Sequence, residues 1–264
     1  MDLQMDNTHV VVTGGSSGIG LACAHQFLRE RCRVTLVARD AQRLADARAQ
    51  LLAANPTADV ATFNADLSDP TAATALVARI EAERGAIDVL VNGAGAPRRT
   101  AFDALVPQDW QDAMQDKFFP TMNVLAPVLL RMGARGKGTV VNIIGVGGKQ
   151  PSPYNLPGGS ANAALMLATA GLAVAWGPRG IRINAVNPAL TETGLLEDFF
   201  IAQATARGVT PEAVRAQLVA NLPLRRTASA SEVADAVVFL ASPRASYIAG
   251  AIVPVDGATA AMVV

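Results

Sequence analysis

The chain has 264 residues, 51% of them apolar and 17% charged, with 22 basic side chains against 22 acidic ones. A neutral chain without a basic run offers nothing for nucleic acid or an anionic membrane surface to hold, and this much apolar side chain can fill one large core. The opening MDLQMDNTHVVVTGG lacks the charged-then-apolar layout of a secretion signal, and no uninterrupted apolar run reaches the roughly 18 residues of a membrane span, so a cytoplasmic protein is expected.

In chain order, HVVVTG (9–14) reads as a buried strand and is followed by a helix from about Gly18 to Arg31. RVTLVA (33–38) is a second strand and Gln42 to Ala54 a helix; DVATFNAD (59–66) is a third strand and Thr71 to Arg84 a helix. IDVLVN (87–92) is a fourth strand, followed by a long helical region to about Met132. GTVVNII (138–144), a helix Gly159 to Trp176, and IRINAVN (181–187) come next; 194–242 is mostly helical and AIVPVD (251–256) is the last strand. Val/Ile-rich strands alternating with helices predict a single α/β domain over 1–264, a Rossmann-type doubly wound parallel sheet with helices on both faces.

Cys23 and Cys32 lie on or near one helix. At roughly 1.5 Å per residue they stand about 13 Å apart, beyond the reach of a disulfide, and are expected to be reduced. His9 and His25 have no Cys or carboxylate neighbours at ligand spacing, so no metal site is expected.

TGGSSGIG (13–20) follows the first strand and opens the first helix. Gly14 suits the tight turn, Gly18 close backbone approach to a phosphate, and Gly20 close packing of the helix, whose N-terminus then presents N–H groups and a positive dipole end to a pyrophosphate. The second strand ends in Ala38-Arg39, where a carboxylate would bind an adenosine ribose. The cation favours the 2′-phosphate of NADP(H); NAD(H) is the alternative, with the adjacent Asp40 as ribose ligand.

TGGSSGIG, NAD (64–66), NGAG (92–95), VVNIIG (140–145), IRINAVNPALTET (181–193) and SEVADAVVFLASPRASYIAGAIVPVDG (231–257) occur in the order of the short-chain dehydrogenase/reductase family, and the chain resembles that family over nearly its whole length. The resemblance implies an oxidoreductase that moves a hydride between a nicotinamide and a small-molecule substrate. It implies cofactor contacts from Gly14, Ser16, Ser17, Gly18, Ile19, Gly20 and Arg39. Asp66 and Leu67 would flank the adenine. Asn92, Gly93 and Ala94 would line the cofactor, and Pro188, Thr191 and Thr193 would lie beside the nicotinamide end. Ala189 stands where the family usually has glycine.

The family's proton-transfer residues are an asparagine, a serine, a tyrosine and a lysine. Their places are taken here by Lys117, Gly145, Gly158 and Asn162; ANAAL (161–165) matches the family's SKAAL and fixes the alignment. A positioned general acid contributes roughly 10²- to 10⁴-fold, so its loss would cripple ordinary alcohol oxidation. Lysine and asparagine have exchanged places, however, on helices that are neighbours in the family fold. Lys117 is therefore the candidate catalytic cation, reaching the pocket from the opposite wall near the nicotinamide ribose or a developing oxyanion. Pro120 argues for irregular helix there, because its ring clashes with the Asp116 carbonyl.

Tyr154 and Lys149, on the loop before Gly158, are further candidates, with Tyr154 the lesser catalytic candidate and better read as a packing or lid residue. Ser160 reads as a helix-start residue. Reduction of a polarised C=C bond would need less acid, with Lys117 holding the oxyanion. TGLLEDFFIAQATARG (193–208), within a lid at about 190–225, brings Leu195, Leu196, Phe199, Phe200 and Ile201 as an apolar cover. Arg98 and Arg99 follow NGAG and are candidates to meet an anionic group. The small-residue helix ANAALMLATAGLA (161–173) suits a homodimer or homotetramer. Two readings follow: an NADP(H)-dependent oxidoreductase with a rebuilt active site, acting on a small apolar carbonyl, alcohol or enone, or a dinucleotide-binding sensor or partner subunit that has lost catalysis.

Overall fold

The computed structural model describes residues 1–95 and 99–260. β1 (His9–Thr13), α1 (Gly18–Arg29), β2 (Arg33–Ala38), α2 (Ala41–Ala54), β3 (Val60–Asn64), α3 (Pro70–Arg84) and β4 (Val89–Asn92) form the first half. α4 (Pro107–Ala113), a π-helical turn (Met114–Phe118), α5 (Phe119–Arg135), β5 (Gly138–Ile143), α6 (Leu156–Trp176) and β6 (Ile181–Pro188) follow. The lid region contributes β7 (Thr191–Glu192), α7 (Gly194–Arg207), α8 (Pro211–Ala220) and β8 (Ala228–Ser229), before α9 (Ala230–Ala241) and β9 (Ile252–Val255).

Seven strands pair in parallel in the order β3-β2-β1-β4-β5-β6-β9, and β7 and β8 make a separate two-stranded ladder. The central strands are buried along their length, as near-continuous Val/Ile runs require when both faces are covered. One face packs on α1, α2 and α9 through Phe27, Leu44 and Val237; the other packs on α3, α5 and α6 through Ile80, Leu129 and Ala173. Chain order reverses between β1 and β4, and the crevice at the carboxyl ends of those strands is where such sheets bind ligands.

Helix starts are fixed by local caps. Asp40 accepts the Arg43 N–H at α2, Asp69 accepts the Thr71 N–H at α3 with Pro70 in the first turn, and Ser229 and Glu232 form a reciprocal capping box at α9. α6 begins at Leu156, earlier than the expected Gly159, because Pro157 takes a first-turn position where its missing N–H breaks no helical bond. By length and composition α6 is apolar enough to cross a membrane. Here it is a core helix, interrupted by Ser160, Asn162 and Thr169, and its Leu165, Met166 and Ala173 are buried. The helical region before Met132 is long, as expected, and is irregular just before Pro120. Pro120 has no N–H for the Asp116 carbonyl, and the Phe119 N–H bonds five residues back, to Met114 O.

Candidate active site

The glycine turn after β1 sits directly against the turn after β4. Gly14 has φ of +68°, and a β-carbon on it would lie 2.7 Å from Gly93 O. A β-carbon on Gly20 would lie 2.3 Å from Gly14 O, so α1 touches the turn backbone to backbone. Gly18 faces the Thr193 methyl group, which brings the turn after β6 to the same crevice. Ile19 packs into the core beneath. Ser17 is the N-cap of α1 but its hydroxyl caps no N–H, and the first turn keeps its donors open to the crevice.

The Ser17 hydroxyl, beside Ser16, accepts instead from Arg43 Nη2 at 3.0 Å. Arg39 is exposed just past β2. Arg43 is the residue sequence reasoning missed; the only signal was a second cation in the first turn of the helix that follows Arg39. Asp40 Oδ1 accepts the Arg43 N–H as the cap of α2. Asp66 accepts from the Ser68 N–H and hydroxyl, and these bonds, with a smaller contribution from nearby Arg39, hold its pKa below the usual value. The Leu67 side chain is buried in the core and its carbonyl accepts from Asn123.

At the end of β4 a polar ladder runs through the sheet. The Thr13 hydroxyl accepts from the Gly93 and Ala94 N–H groups and donates to Asn92 Oδ1; Asn92 Nδ2 donates to Asn142 Oδ1, Asn142 Nδ2 to the Thr169 hydroxyl, and Thr169 to Leu165 O. Asn92 is thereby committed to fixing β1, β4, β5 and α6 relative to one another, and the positions of Gly93 and Ala94 follow from it.

Lys117 lies within the π-helical turn and is only 6% exposed. Its Nζ donates to Ala94 O and to Ile143 O, each at 3.2 Å, so the ammonium bridges the carboxyl ends of β4 and β5. Burial without a carboxylate brings its pKa down from 10.5 to about 8. Facing it from α6 is Asn162, 8% exposed, whose Oδ1 has no hydrogen-bond partner. The Asn162 Nδ2 lies 3.3 Å from where a Gly145 β-carbon would stand, so this amide fills the space beside Gly145. Gly158, one turn before Asn162, is buried. Gly145 and Asn162 thus adjoin, Lys117 reaches Ile143 O two residues before Gly145, and Lys117 is the only titratable side chain among Lys117, Gly145, Gly158 and Asn162. Pro188 is buried at the end of β6, the Thr191 hydroxyl donates to Ala189 O, and the Thr193 hydroxyl to Thr191 O.

Other candidates stand apart. The Tyr154 side chain is 55% exposed on its loop. Lys149 Nζ donates to Ile252 O on β9, and the Ser160 hydroxyl donates back to Leu156 O as a helix residue does. The apolar lid residues divide: Leu196 and Phe200 pack with Val214 of α8 into a core of their own, whereas Leu195 and Ile201 are exposed. The Arg99 guanidinium stacks over Phe199 of α7 at 4.5 Å. Arg98 lies outside the described residues. Cys23 and Cys32 are buried free thiols, and among the described residues no group of His, Cys, Asp or Glu is arranged to hold a metal.

The residues present fit a dinucleotide. The open end of α1, the Arg39–Arg43–Ser17 group and the unpartnered Asn162 Oδ1, which a ribose hydroxyl would satisfy, lie along one crevice. Residues 8–204 match the short chain dehydrogenase family, and the chain belongs to it, an oxidoreductase of the SDR type. A 3α-hydroxysteroid dehydrogenase of Mediterraneibacter gnavus is 31% identical over 98% of this chain and 99% of its own. The L-sorbose reductase of Gluconobacter frateurii, solved with NADPH and L-sorbose, superposes with a TM-score of 0.93 at 29% identity over 100% of both chains. An NADPH-bound short chain oxidoreductase of Pseudomonas aeruginosa, described as containing an atypical catalytic center, gives 0.88 at 30% identity over 97% of this chain and 98% of that one.

Proposed function

We propose that the protein is an NADP(H)-dependent oxidoreductase of small carbonyl or enone compounds in which Lys117 replaces the family's tyrosine and lysine. The observation that carries this reading is the buried ammonium bridging Ala94 O and Ile143 O at the end of the crevice, with no other proton donor at the tetrad positions. When bound, NADPH supplies the hydride. Lys117 has three N–H groups and two are engaged by carbonyls; the third is free to meet the substrate oxygen. For a carbonyl, Lys117 donates its proton to the oxygen as carbon receives the hydride, and regains one from solvent. For an enone, Lys117 holds the enolate oxygen by hydrogen bond and charge, and water protonates the α-carbon. A group that titrates near 8 is well matched to proton transfer near neutral pH. Asn162 Oδ1 accepts from a ribose hydroxyl, and Tyr154 serves as a packing or lid residue. The test is NADPH oxidation over aldehydes, ketones, enones and imines, with Lys117→Ala in parallel. Turnover that falls with the substitution supports this reading; NADPH binding without turnover of any substrate would favour the dinucleotide-binding sensor or partner subunit.

Preference for NADP(H) over NAD(H) rests on Arg39 and Arg43. The double variant Arg39→Ala/Arg43→Ala is expected to weaken NADPH binding by about 10- to 100-fold, the size of one or two charge-assisted hydrogen bonds, and to leave NADH binding within a few fold. Fluorescence titration of both dinucleotides decides it; equal losses for the two would remove the 2′-phosphate assignment.

We infer a cytoplasmic homodimer or homotetramer joined through the outer faces of α5 and α6. Leu130, Leu167 and Val174 are 63%, 77% and 81% exposed there, and α6 has no charged residue over its length. Leu167→Glu is expected to yield monomers in analytical ultracentrifugation, whereas an unchanged sedimentation coefficient would place the contact elsewhere.

A further inference from the structure

We propose that the substrate carries an anionic, carboxylate-type group that Arg99 receives at the mouth of the crevice; this rests on the oxidoreductase reading above. Arg99 lies a few residues beyond β4, whose end holds Ala94 against Lys117, and it reaches across to the lid, where its guanidinium lies over the half-buried Phe199 ring at 4.5 Å. No hydrogen bond between described residues engages the Arg99 N–H groups, which form a fork able to grip a carboxylate with two parallel bonds. Among the described residues no carboxylate pairs with Arg99. By contrast, the other arginine stacked on a lid ring, Arg215 over Phe200, is neutralised by Glu197 and Glu192. The two arginines thus have opposite fates: Arg215 is closed within the lid by Glu197 and Glu192, and Arg99 lies over a lid ring without a carboxylate partner among the described residues.

The inner cation of the crevice, Lys117, is also held only by carbonyls, and no ion pair between described residues sets a carboxylate against either it or Arg99. Lys117 and Arg99 are thus two cations without a carboxylate partner among the described residues, separate from the Arg39–Arg43 group at the nucleotide end. A molecule that satisfies both cations has a carbonyl oxygen for Lys117 and a negative terminus for Arg99, with an apolar stem beside Phe199. Desolvation beside the ring lowers the Arg99 pKa, which adds to the demand for a counter-ion.

The test titrates the NADPH complex with 5-oxohexanoate and with its methyl ester, followed by the fluorescence of bound NADPH, in the wild type, Arg99→Leu and Arg99→Lys. The acid is expected to bind at least ten-fold more tightly than the ester in the wild type. Arg99→Leu should bring the ratio close to one with ester binding unchanged, and Arg99→Lys should keep part of it. Equal binding of acid and ester, a preference that survives Arg99→Leu, or no binding of either probe overturns the proposal. NADPH binding and Lys117-dependent turnover are measured on the same preparations. Absence of an acid preference in the wild type with those intact removes the anion site alone, whereas loss of NADPH binding or of Lys117-dependent turnover removes the oxidoreductase reading itself.

Discussion

Lys117→Met is expected to lower turnover by about 10²- to 10⁴-fold, the range of a positioned acid, with NADPH binding within a few fold of the wild type. Its effect on stability separates this role from a structural one. The fall of the Lys117 pKa from 10.5 to about 8 corresponds to about 3 kcal/mol of burial cost for the charged form. Methionine removes that cost but leaves Ala94 O and Ile143 O without their donor, a loss of similar size. Stability at pH 7 should therefore change little. Its pH dependence should change a great deal. Between the folded value near 8 and the unfolded value of 10.5 the unfolded chain holds a proton that the folded chain has released, so wild-type stability rises with pH through this window. Lys117→Met should lack that rise, on the order of 3 kcal/mol across the window in urea unfolding. In the direction of carbonyl reduction, wild-type kcat/KM should fall as pH climbs past about 8, when the ammonium loses the proton it must donate. A pH profile flat through 8, or a variant with full turnover, would sink the assignment.

Gly20→Ala should be nearly as damaging, through the backbone alone. The new methyl carbon would stand 2.3 Å from Gly14 O, 2.8 Å from Gly14 C and 3.2 Å from the Gly15 α-carbon. None of these atoms is the end of a flexible side chain, so α1 must retreat from the turn, and Phe27 and Ala24 on its inner face must retreat with it. Overpacking of this kind costs typically 1–3 kcal/mol, and here the upper end is expected because the contact is with backbone. For a chain of this length that lowers Tm by roughly 5–10 °C. Dinucleotide binding should fall at least 100-fold, because the N–H groups of α1 would move away from the place a pyrophosphate would take. A variant with wild-type Tm and NADPH affinity would show that α1 adjusts without cost.

Much of this was legible in the sequence. The strands were, because a parallel strand covered on both faces must be apolar at nearly every position, as in HVVVT and VLVN. The tight glycine turn was, because Gly14 and Gly20 answer to backbone distances that admit no side chain. Legibility failed where an outcome depends on a partner far along the chain. Arg43 gave no spacing rule that would tie it to Ser17, and Asp40 was as good a ribose ligand in sequence as a helix cap. The glycines suggested a helix start at Gly159, but Pro157 fixes the first turn of α6 ahead of them. The exchange of lysine and asparagine could be read directly, yet the two carbonyls that hold Lys117 belong to strand ends brought together only by the ladder from Thr13 to Thr169. The Leu196–Phe200 pair was indistinguishable from a substrate cover, since one apolar face of a helix serves either purpose.

The π-helical turn has a consequence for how this site can change. Over Met114–Phe118 the chain carries one residue more than an α-helix needs for the same advance. A surplus residue shifts the phase between α4 and α5 by about 100°, the angle that one residue subtends in a helix of 3.6 per turn. Pro120 holds the surplus in place, because an α-helix continued through this segment would need the N–H that proline lacks. The site cation is thus tied to a count of residues as well as to an identity. A change in the number of residues within Met114–Phe118 would carry Lys117 away from Ala94 O and Ile143 O even with every other side chain of the site unchanged.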